Sequence, residues 1–168
     1  ASAPIFAADV AALRIDASEG IPVLVNPLSG LDPGEAFDVG ALAADLRRSL
    51  ASLGTASLSA KVSVVVDGGC ALHLDDVAAD VSLRAVDGPN GASFHVALGG
   101  DASESISIGA VSPENTVACT LRLLEVLAAT APNARMRDVV RDQGLNAFKS
   151  AVADLVTDRP APAARSAA

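Results

Sequence analysis

The sequence has almost no aromatic residues. Among its 168 residues there are four Phe, no Trp and no Tyr, so it offers no row of aromatic rings on which nucleic-acid bases stack. Its net charge of −8 repels phosphate backbones and anionic lipid alike. Nucleic acid and membrane surfaces are therefore not expected as partners.

Long apolar runs are missing as well. None approaches the ~18 residues of a membrane-spanning helix, and no basic segment precedes an apolar stretch near the N-terminus. We therefore expect a cytoplasmic protein. Two cysteines, Cys70 and Cys119, are too few for a disulfide framework and are interpreted as small buried thiols.

The residues that are abundant suit one aliphatic core. Hydrophobic residues make up 51% of the chain, and Ala, Val, Leu and Ile must supply nearly all of the core. We predict an N-terminal extension at residues 1–19, with a short helix at 7–15. The folded domain is predicted at 20–158, and the Ala- and Pro-rich residues 159–168 as a disordered tail.

Hydrophobic periodicity predicts an α+β domain. Apolar runs or alternation predict strands at residues 21–25, 62–66, 80–86, 93–98 and 103–111. Between the first two, Asp38 is the predicted N-cap of a helix. The leucines of this helix recur at helical spacing, and the helix is predicted to end at Gly54.

A helical segment is predicted after the last strand. Residues 112–114, Ser-Pro-Glu, are typical of a helix start. The buried face of that helix is predicted at residues 117, 121, 124 and 128. Two further helices are predicted at 135–142 and 145–156, hinged at Gly144.

Four separated strings carry a resemblance to a known family. They are VNPLSGLDPGEAFDVGALAADLRRSL, LSAKVSVVVDGGCALHLDDVAADVSL, FHVALGG and ARMRDVVRDQGLNAFKSAV, in this order. They resemble the central domain of siroheme-dependent nitrite and sulfite reductases, nearest to precorrin-3B synthase. The resemblance covers about residues 20–156.

The resemblance implies a nitrite/sulfite reductase 4Fe-4S domain-like fold. In that fold a mixed sheet of about five strands packs with helices and docks against ferredoxin-like half-domains. Members of the family are oxidoreductases that hold siroheme and a [4Fe–4S] cluster, and precorrin-3B synthase acts in cobalamin biosynthesis. Because the cluster needs four Cys ligands, neither group is expected to be held by this chain alone. The expected partners are ferredoxin-like half-domains of the same protein or of a partner chain, and a tetrapyrrole is a further candidate.

Residue by residue, the resemblance transfers only part of the family's site. Lys61 matches the first Lys of a Lys-aromatic-Lys string and is the implied catalytic and cofactor-binding cation, while Ser63 stands in place of the second Lys. Gly99 and Gly100 match the glycine-ended strand beside the siroheme and are the other implied cofactor-binding residues. Residues 21–22, Ile-Pro, stand where the family commonly has Arg-Asn. No metal ligand is assigned.

Structural interpretations stand beside these functional ones. Lys61 is equally consistent with a solvated strand end, and the glycine pair suits a turn. The arginines at 47–48 and 135–141 fit either carboxylates of a tetrapyrrole or partner domain or, more simply, a solvated helix face.

The histidines and paired aspartates are interpreted as structural. His73 and His95 lack a cluster with metal-ligand spacing. The aspartates at 75–76, 87 and 101 are interpreted as turn or capping residues.

Two hypotheses from different classes follow. The first is an isolated or truncated domain of a siroheme nitrite/sulfite reductase-like protein, a precorrin-3B synthase homologue that is inactive alone. In this case it is an oxidoreductase only when completed by other domains. The alternative is a non-catalytic scaffold or tetrapyrrole- or ligand-binding module that has lost haem and cluster.

Overall fold

The computed structural model describes residues 3–13, 20–53, 57–88 and 91–163. The helices in these ranges are α1 Ala3–Ala12, α2 Gly40–Ser52, α3 Thr116–Thr130, α4 Met136–Gln143 and α5 Asn146–Ala151. The strands are β1 Val23–Val25, β2 Val64–Asp67, β3 Ala79–Val86, β4 Ser93–Gly100, β5 Ile106–Val111 and β6 Val156–Thr157.

The strands form one six-stranded sheet in the order β1-β2-β3-β4-β5-β6. Strands β1, β2 and β3 are parallel, whereas each later pair is antiparallel. The prediction of a mixed α+β sheet packed with helices is confirmed, and β6 is an additional strand. In this topology the N-terminal ends of β1, β2 and β3 lie beside the C-terminal end of β4. This row of strand ends forms one edge of the sheet.

Alternation along β3 separates a helix-covered face of the sheet from a second face. Val81 and Leu83 are fully buried in the main core, whereas Ser82 and Arg84 are half-buried on the opposite side. Phe94 of β4 lies in the same core and makes an edge-to-face contact with Phe37, with ring centroids 5.3 Å apart. The alternation predicted for β3 is confirmed. In β4 the predicted residues Phe94, Val96 and Leu98 lie in the main core, but the other face of the strand is buried as well.

Helix α2 buries the leucine face that its sequence predicts. Leu42, Leu46 and Leu50 are at most 9% exposed, because spacings of four place them on one side of a helix. The N-cap of α2 is Val39, one residue after the predicted Asp38, whose Oδ1 accepts a hydrogen bond from the backbone N–H of Gly40 at 2.9 Å. The predicted end of this helix at Gly54 lies outside the described residues.

Helix α3 buries a wider face than the one predicted. Its buried residues are Thr116, Cys119, Thr120, Leu123, Leu124 and Leu127, whereas Val117, Leu121 and Ala128 are half-buried against the core. The prediction was correct only in part because α3 contacts α2, α4 and α5, so its buried surface also depends on neighbours that periodicity does not reveal. The two threonine hydroxyls donate to the carbonyl oxygens of Ser112 and Thr116, four residues earlier, so their burial leaves no hydroxyl donor unpaired.

The last predicted helix, residues 145–156, is too long. Helix α5 ends at Ala151, and Val156–Thr157 forms β6 against β5. Gly109 of β5 permits this pairing, since a Cβ there would lie 2.5 Å from the carbonyl oxygen of Thr157. A short strand at the sheet edge therefore replaces the last turns of the predicted helix.

Both terminal segments are described in part. Helix α1 begins earlier than the predicted helix at 7–15, whose last two residues lie outside the described ranges. Residues 159–163 of the predicted tail run along the second face of the sheet, where Arg84 Nη1 donates to the carbonyl of Ala163 at 3.0 Å; residues 164–168 are not described. No helix in the described ranges is long and apolar enough to cross a membrane.

Leu46 and Leu31 form a matched test of the core. Leu46→Ala should lower the free energy of unfolding by about 2–5 kcal/mol, because Leu46 is 0% exposed in the core. Leu31 is 78% exposed, so Leu31→Ala should change the free energy of unfolding by less than about 0.5 kcal/mol. Urea unfolding followed by far-UV circular dichroism measures both, and equal losses would contradict this description of the core.

Candidate functional site

The residues singled out by the sequence lie along one edge of the sheet. Backbone N–H of Val64 donates to the carbonyl of Pro22 at 2.9 Å, and backbone N–H of Ser63 donates to Asp80 Oδ2 at 3.0 Å. Ala79 at the start of β3 pairs with Gly100 at the end of β4. We call the following set the Lys61 edge: Ile21, Pro22, Lys61, Ser63, Asp80, Gly99, Gly100, Arg135 and Arg137.

Asp80 is the buried carboxylate of the Lys61 edge, with 1% of its surface exposed. Its Oδ1 accepts the backbone N–H of Met136 at 2.8 Å, and its Oδ2 accepts the backbone N–H of Ser63. The guanidinium of Arg135 approaches the same carboxylate, with Nε 3.0 Å from Oδ1 and Nη2 2.9 Å from Oδ2. Because a buried charge needs such partners, Asp80 ties together β2, β3 and the start of α4.

Two arginines reach the Lys61 edge from the start of α4. The side chain of Arg135 is 35% exposed, and no hydrogen bond from its Nη1 is found within the described residues. Arg137 is 64% exposed and lies 3.9 Å from Glu104 Oε2, a loose surface pair worth little energy. Together with Asp80, Gly99, Gly100 and two alanines, they line a cleft of about 290 Å³.

The two glycines of the Lys61 edge are required by local packing. Gly99 has φ +68°, and a Cβ there would lie 2.7 Å from both Cα and N of Arg137. At Gly100 a Cβ would lie 2.9 Å from Cβ of Glu104. Helix α4 and the chain before β5 thus account for both glycines, whose backbones nevertheless line the cleft.

Lys61 is an exposed cation just before β2. Its backbone N–H donates to Ser59 Oγ at 3.3 Å, and none of the ion pairs found among the described residues involves its ammonium group. Its neighbours in sequence, Ala60 and Val62, line a second cleft of about 240 Å³ together with Ile21. Lys61 is therefore available to an anion at this edge.

The two cysteines are buried in different parts of the fold. Cys70 lies in the connection between β2 and β3, where burial and then the Glu35 carboxylate raise the pKa of its thiol to about 11. Burial raises the pKa of Cys119, in α3, to about 12. Both thiols are therefore protonated at neutral pH. Within the described ranges, no group of three or more His, Cys, Asp or Glu side chains could hold a metal ion.

One of the aspartates interpreted as a turn residue also belongs to a buried polar cluster. Asp75 lies in a turn that the backbone N–H of Val77 closes on the carbonyl of Leu74 at 3.0 Å. Its side chain is buried, with Oδ2 3.2 Å from Arg84 Nη1 and 3.8 Å from His73 Nδ1. The turn role of Asp101 is confirmed, since its Oδ1 accepts the backbone N–H groups of residues 103 and 104.

Asp80 is the residue of the site that the sequence did not reveal. Its position at the start of a strand gave no functional signal, because acidic residues are common where strands begin. Its main partner, Arg135, is 55 residues away in sequence, so no local spacing joins the two.

Comparisons with known proteins agree on the type of domain. A family model described as the nitrite and sulphite reductase 4Fe-4S domain matches residues 18–159. A precorrin-3B synthase from a Sinorhizobium species is 34% identical over 140 residues, which cover 83% of this chain and 30% of that protein. The structure of the Mycobacterium tuberculosis NirA protein superposes with a TM-score of 0.60 at 20% identity, over 83% of this chain and 28% of that one. The chain thus spans less than a third of either relative.

The Asp80–Arg135 pair is predicted to be energetically coupled. A double-mutant cycle of Asp80→Asn and Arg135→Gln should give a coupling energy of about 1–3 kcal/mol, because the carboxylate is buried and contacted through two nitrogens. The exposed pair Asp45–Arg48, 3.0 Å apart, is the control and should give about 0.5 kcal/mol or less. Urea unfolding of the two cycles measures both energies, and a smaller value for Asp80–Arg135 would refute its structural role.

Gly99 is predicted to resist substitution more than a glycine in open space. Gly99→Ala should lower the free energy of unfolding by about 3 kcal/mol, since the backbone of α4 must shift. Gly91 also has a positive φ, +98°, but no described atom lies within 4 Å of its added Cβ, so Gly91→Ala should cost about 1 kcal/mol. Thermal unfolding of the two variants tests the difference.

Proposed function

Because the chain belongs to the nitrite and sulphite reductase 4Fe-4S domain family, we propose that it is one domain of a siroheme-dependent protein of the precorrin-3B synthase type. In this proposal it forms one wall of a tetrapyrrole site and is inactive without the parts that complete that site. The observation that carries the proposal is the Lys61 edge, where the family-matched residues lie beside an arginine-lined cleft.

The cysteines of this chain do not fit a [4Fe–4S] cluster. Such a cluster needs four thiolate ligands, whereas the chain has two cysteines. These two lie in different elements, and burial keeps both protonated at neutral pH. In the proposed assembly, residues outside this chain therefore hold any cluster.

The Lys61 edge fits the carboxylates of a tetrapyrrole better than it fits a metal. Siroheme, when bound, supplies redox chemistry at its iron. At the proposed wall, Lys61 provides an ammonium that pairs with no carboxylate of the described residues. Asp80 holds Arg135, whose Nη1 has no acceptor in the described part of the chain and can bind another one. Gly99 and Gly100 add no side chains, so a flat ring system can approach the backbone.

Other domains must supply the rest of such a site. Positions 21, 22 and 63, where the resemblance implies Arg, Asn and Lys, are Ile, Pro and Ser, and the chain carries a net charge of −8. A site for a polyanionic tetrapyrrole needs several paired cations. We propose that ferredoxin-like half-domains, of the same protein or of a partner chain, provide them. The small share of each relative that this chain spans supports this.

A second candidate function is a non-catalytic module that has kept the fold and lost the haem. The substitutions at positions 21, 22 and 63 favour it, because Ile21 is half-buried and contributes to an apolar wall where a cation is expected. Such a module would serve assembly or would carry another ligand.

Titration of the purified protein with siroheme separates the two candidates. If the Lys61 edge is a tetrapyrrole wall, siroheme should bind with a saturable shift of its Soret band. Lys61→Met and Arg137→Met should each weaken binding by about 3- to 10-fold, the loss of one partly exposed charge contact.

An exposed cation that lines neither cleft of the Lys61 edge serves as a matched control. Lys149→Met in α5 removes the same charge and should leave siroheme binding unchanged. No Soret shift at micromolar concentrations would exclude the tetrapyrrole wall and favour the non-catalytic module. Equal losses in all three variants would show that net charge, and not the Lys61 edge, governs binding.

A further inference from the structure

A cavity lies on the face of the sheet opposite the main helices. Its floor is formed by side chains of three adjacent strands, Val65, Ser82 and Ala97, and its walls by the connections that contain Val77 and Ser105. The cavity measures about 80 Å³. It is separate from the Lys61 edge, none of whose residues lines it.

The C-terminal residues 159–163 cover this cavity, and we call them the strap. Ala161 and Pro162 form the roof of the cavity, and a second cavity of about 70 Å³ lies on the other side of Pro162. The described side-chain hydrogen bonds that hold the strap run from Arg84 Nη1 to Ala163 O at 3.0 Å and from Arg159 Nη1 to Ser93 Oγ at 3.3 Å. Two voids lie beneath the strap, and two side-chain hydrogen bonds to it are found among the described residues. We therefore expect local opening of the strap to require little free energy.

A histidine and a serine provide the polar anchor of the cavity. His95 is 8% exposed, and its Nε2 lies 2.7 Å from Ser107 Oγ. Burial and then the positive charge of Arg84 lower the pKa of His95, so the ring is neutral at pH 7. A neutral imidazole beside a hydroxyl offers both a donor and an acceptor to a ligand.

The charges around the cavity disfavour a small anion. Two carboxylates, Asp67 and Asp75, and one guanidinium, Arg84, line the cavity. Nη1 of that guanidinium already lies between Asp75 Oδ2 and the carbonyl of Ala163. A free cation would also lose its hydration in a mainly apolar space without a carboxylate dedicated to it.

We propose that this cavity is a binding site for a small uncharged molecule that has a branched aliphatic body and one hydrogen-bonding group, and that the strap is its lid. The polar group of the ligand hydrogen-bonds at the His95–Ser107 pair, and its aliphatic part packs on Val65, Val77 and Ala97. One water molecule, which has one non-hydrogen atom, needs about 10–15 Å³ of cavity volume. A cavity of about 80 Å³ therefore has room for roughly six non-hydrogen atoms.

Isobutyramide is the probe for this site, and its charged analogues isobutyrate and isobutylammonium are the ligand controls. Titration of the full chain, followed by NMR of the His95 ring and the backbone amides of β3 and β4, should give saturable shifts with isobutyramide. The expected Kd is in the millimolar range, because so small a ligand has few atoms with which to bind. The charged analogues should bind at least about 10-fold more weakly.

Variants localise the probe. Ser82→Leu fills the cavity from its floor and should weaken isobutyramide binding by at least about 10-fold. Ser150, an exposed residue of α5, lines neither cavity, so Ser150→Leu should leave binding unchanged. If Ser82→Leu lacks a cooperative thermal transition, Ser82→Val, with its smaller side chain, carries the same prediction. Three results would overturn the proposed site. They are isobutyramide shifts that do not saturate, undiminished isobutyramide binding by a folded Ser82 variant, and tighter binding of either charged analogue than of isobutyramide.

The lid has its own readout. Bound isobutyramide should slow amide hydrogen exchange at Ala161 and Ala163, because a filled cavity holds the strap closed. The amide of Gly144, which donates to the carbonyl of Val140 at the end of α4 and lines neither cavity, is the reference. Unchanged exchange in the strap at saturating probe would overturn its role as a lid.

Discussion

A single buried carboxylate connects the parts of this molecule that sequence keeps far apart. Asp80 accepts hydrogen bonds from the start of β2 and from the first turn of α4, and it pairs with Arg135. Without these donors its charge would be costly to bury, and without the carboxylate two backbone N–H groups would lose their acceptor. The position of α4 across the end of β4, and hence the shape of the cleft, depends on this contact.

The close approach of α4 to the end of β4 also shows which residues of the Lys61 edge the fold itself requires. Gly99 meets the backbone of Arg137 so closely that no side chain fits, and this requirement holds whether or not a ligand is present. Lys61 has no such structural role among the described residues, because its side chain is exposed and its strand is fixed by backbone bonds. Lys61 is therefore the better indicator of function, and the glycines are the better indicators of fold.

Hydrophobic periodicity correctly predicted the elements that bury one face against the core. The alternation in β3 and the leucine spacing in α2 each follow from one buried face, and both are found in the structure. The buried face of α3 was predicted only in part, because several neighbours surround that helix. The segment after α5 was predicted wrongly, because Val156 pairs with β5 through a gap opened by Gly109. The positions of Lys61, Gly99 and Gly100 came from resemblance to a family. Asp80 was missed because its partners lie 17 and 55 residues away.

The parallel pairing of β2 with β3, made without an intervening helix, bears on the order in which the chain acquires structure. The antiparallel strands β3, β4 and β5 follow one another through short loops, so they close with little loss of chain entropy and suit an early nucleus. Strand β2 is connected to that nucleus by residues 68–78. Helix α4 joins it through the contact of Arg135 with Asp80, which are 55 residues apart in sequence. A nascent chain that ends before α4 would thus hold a meander whose Asp80 still lacks its guanidinium partner.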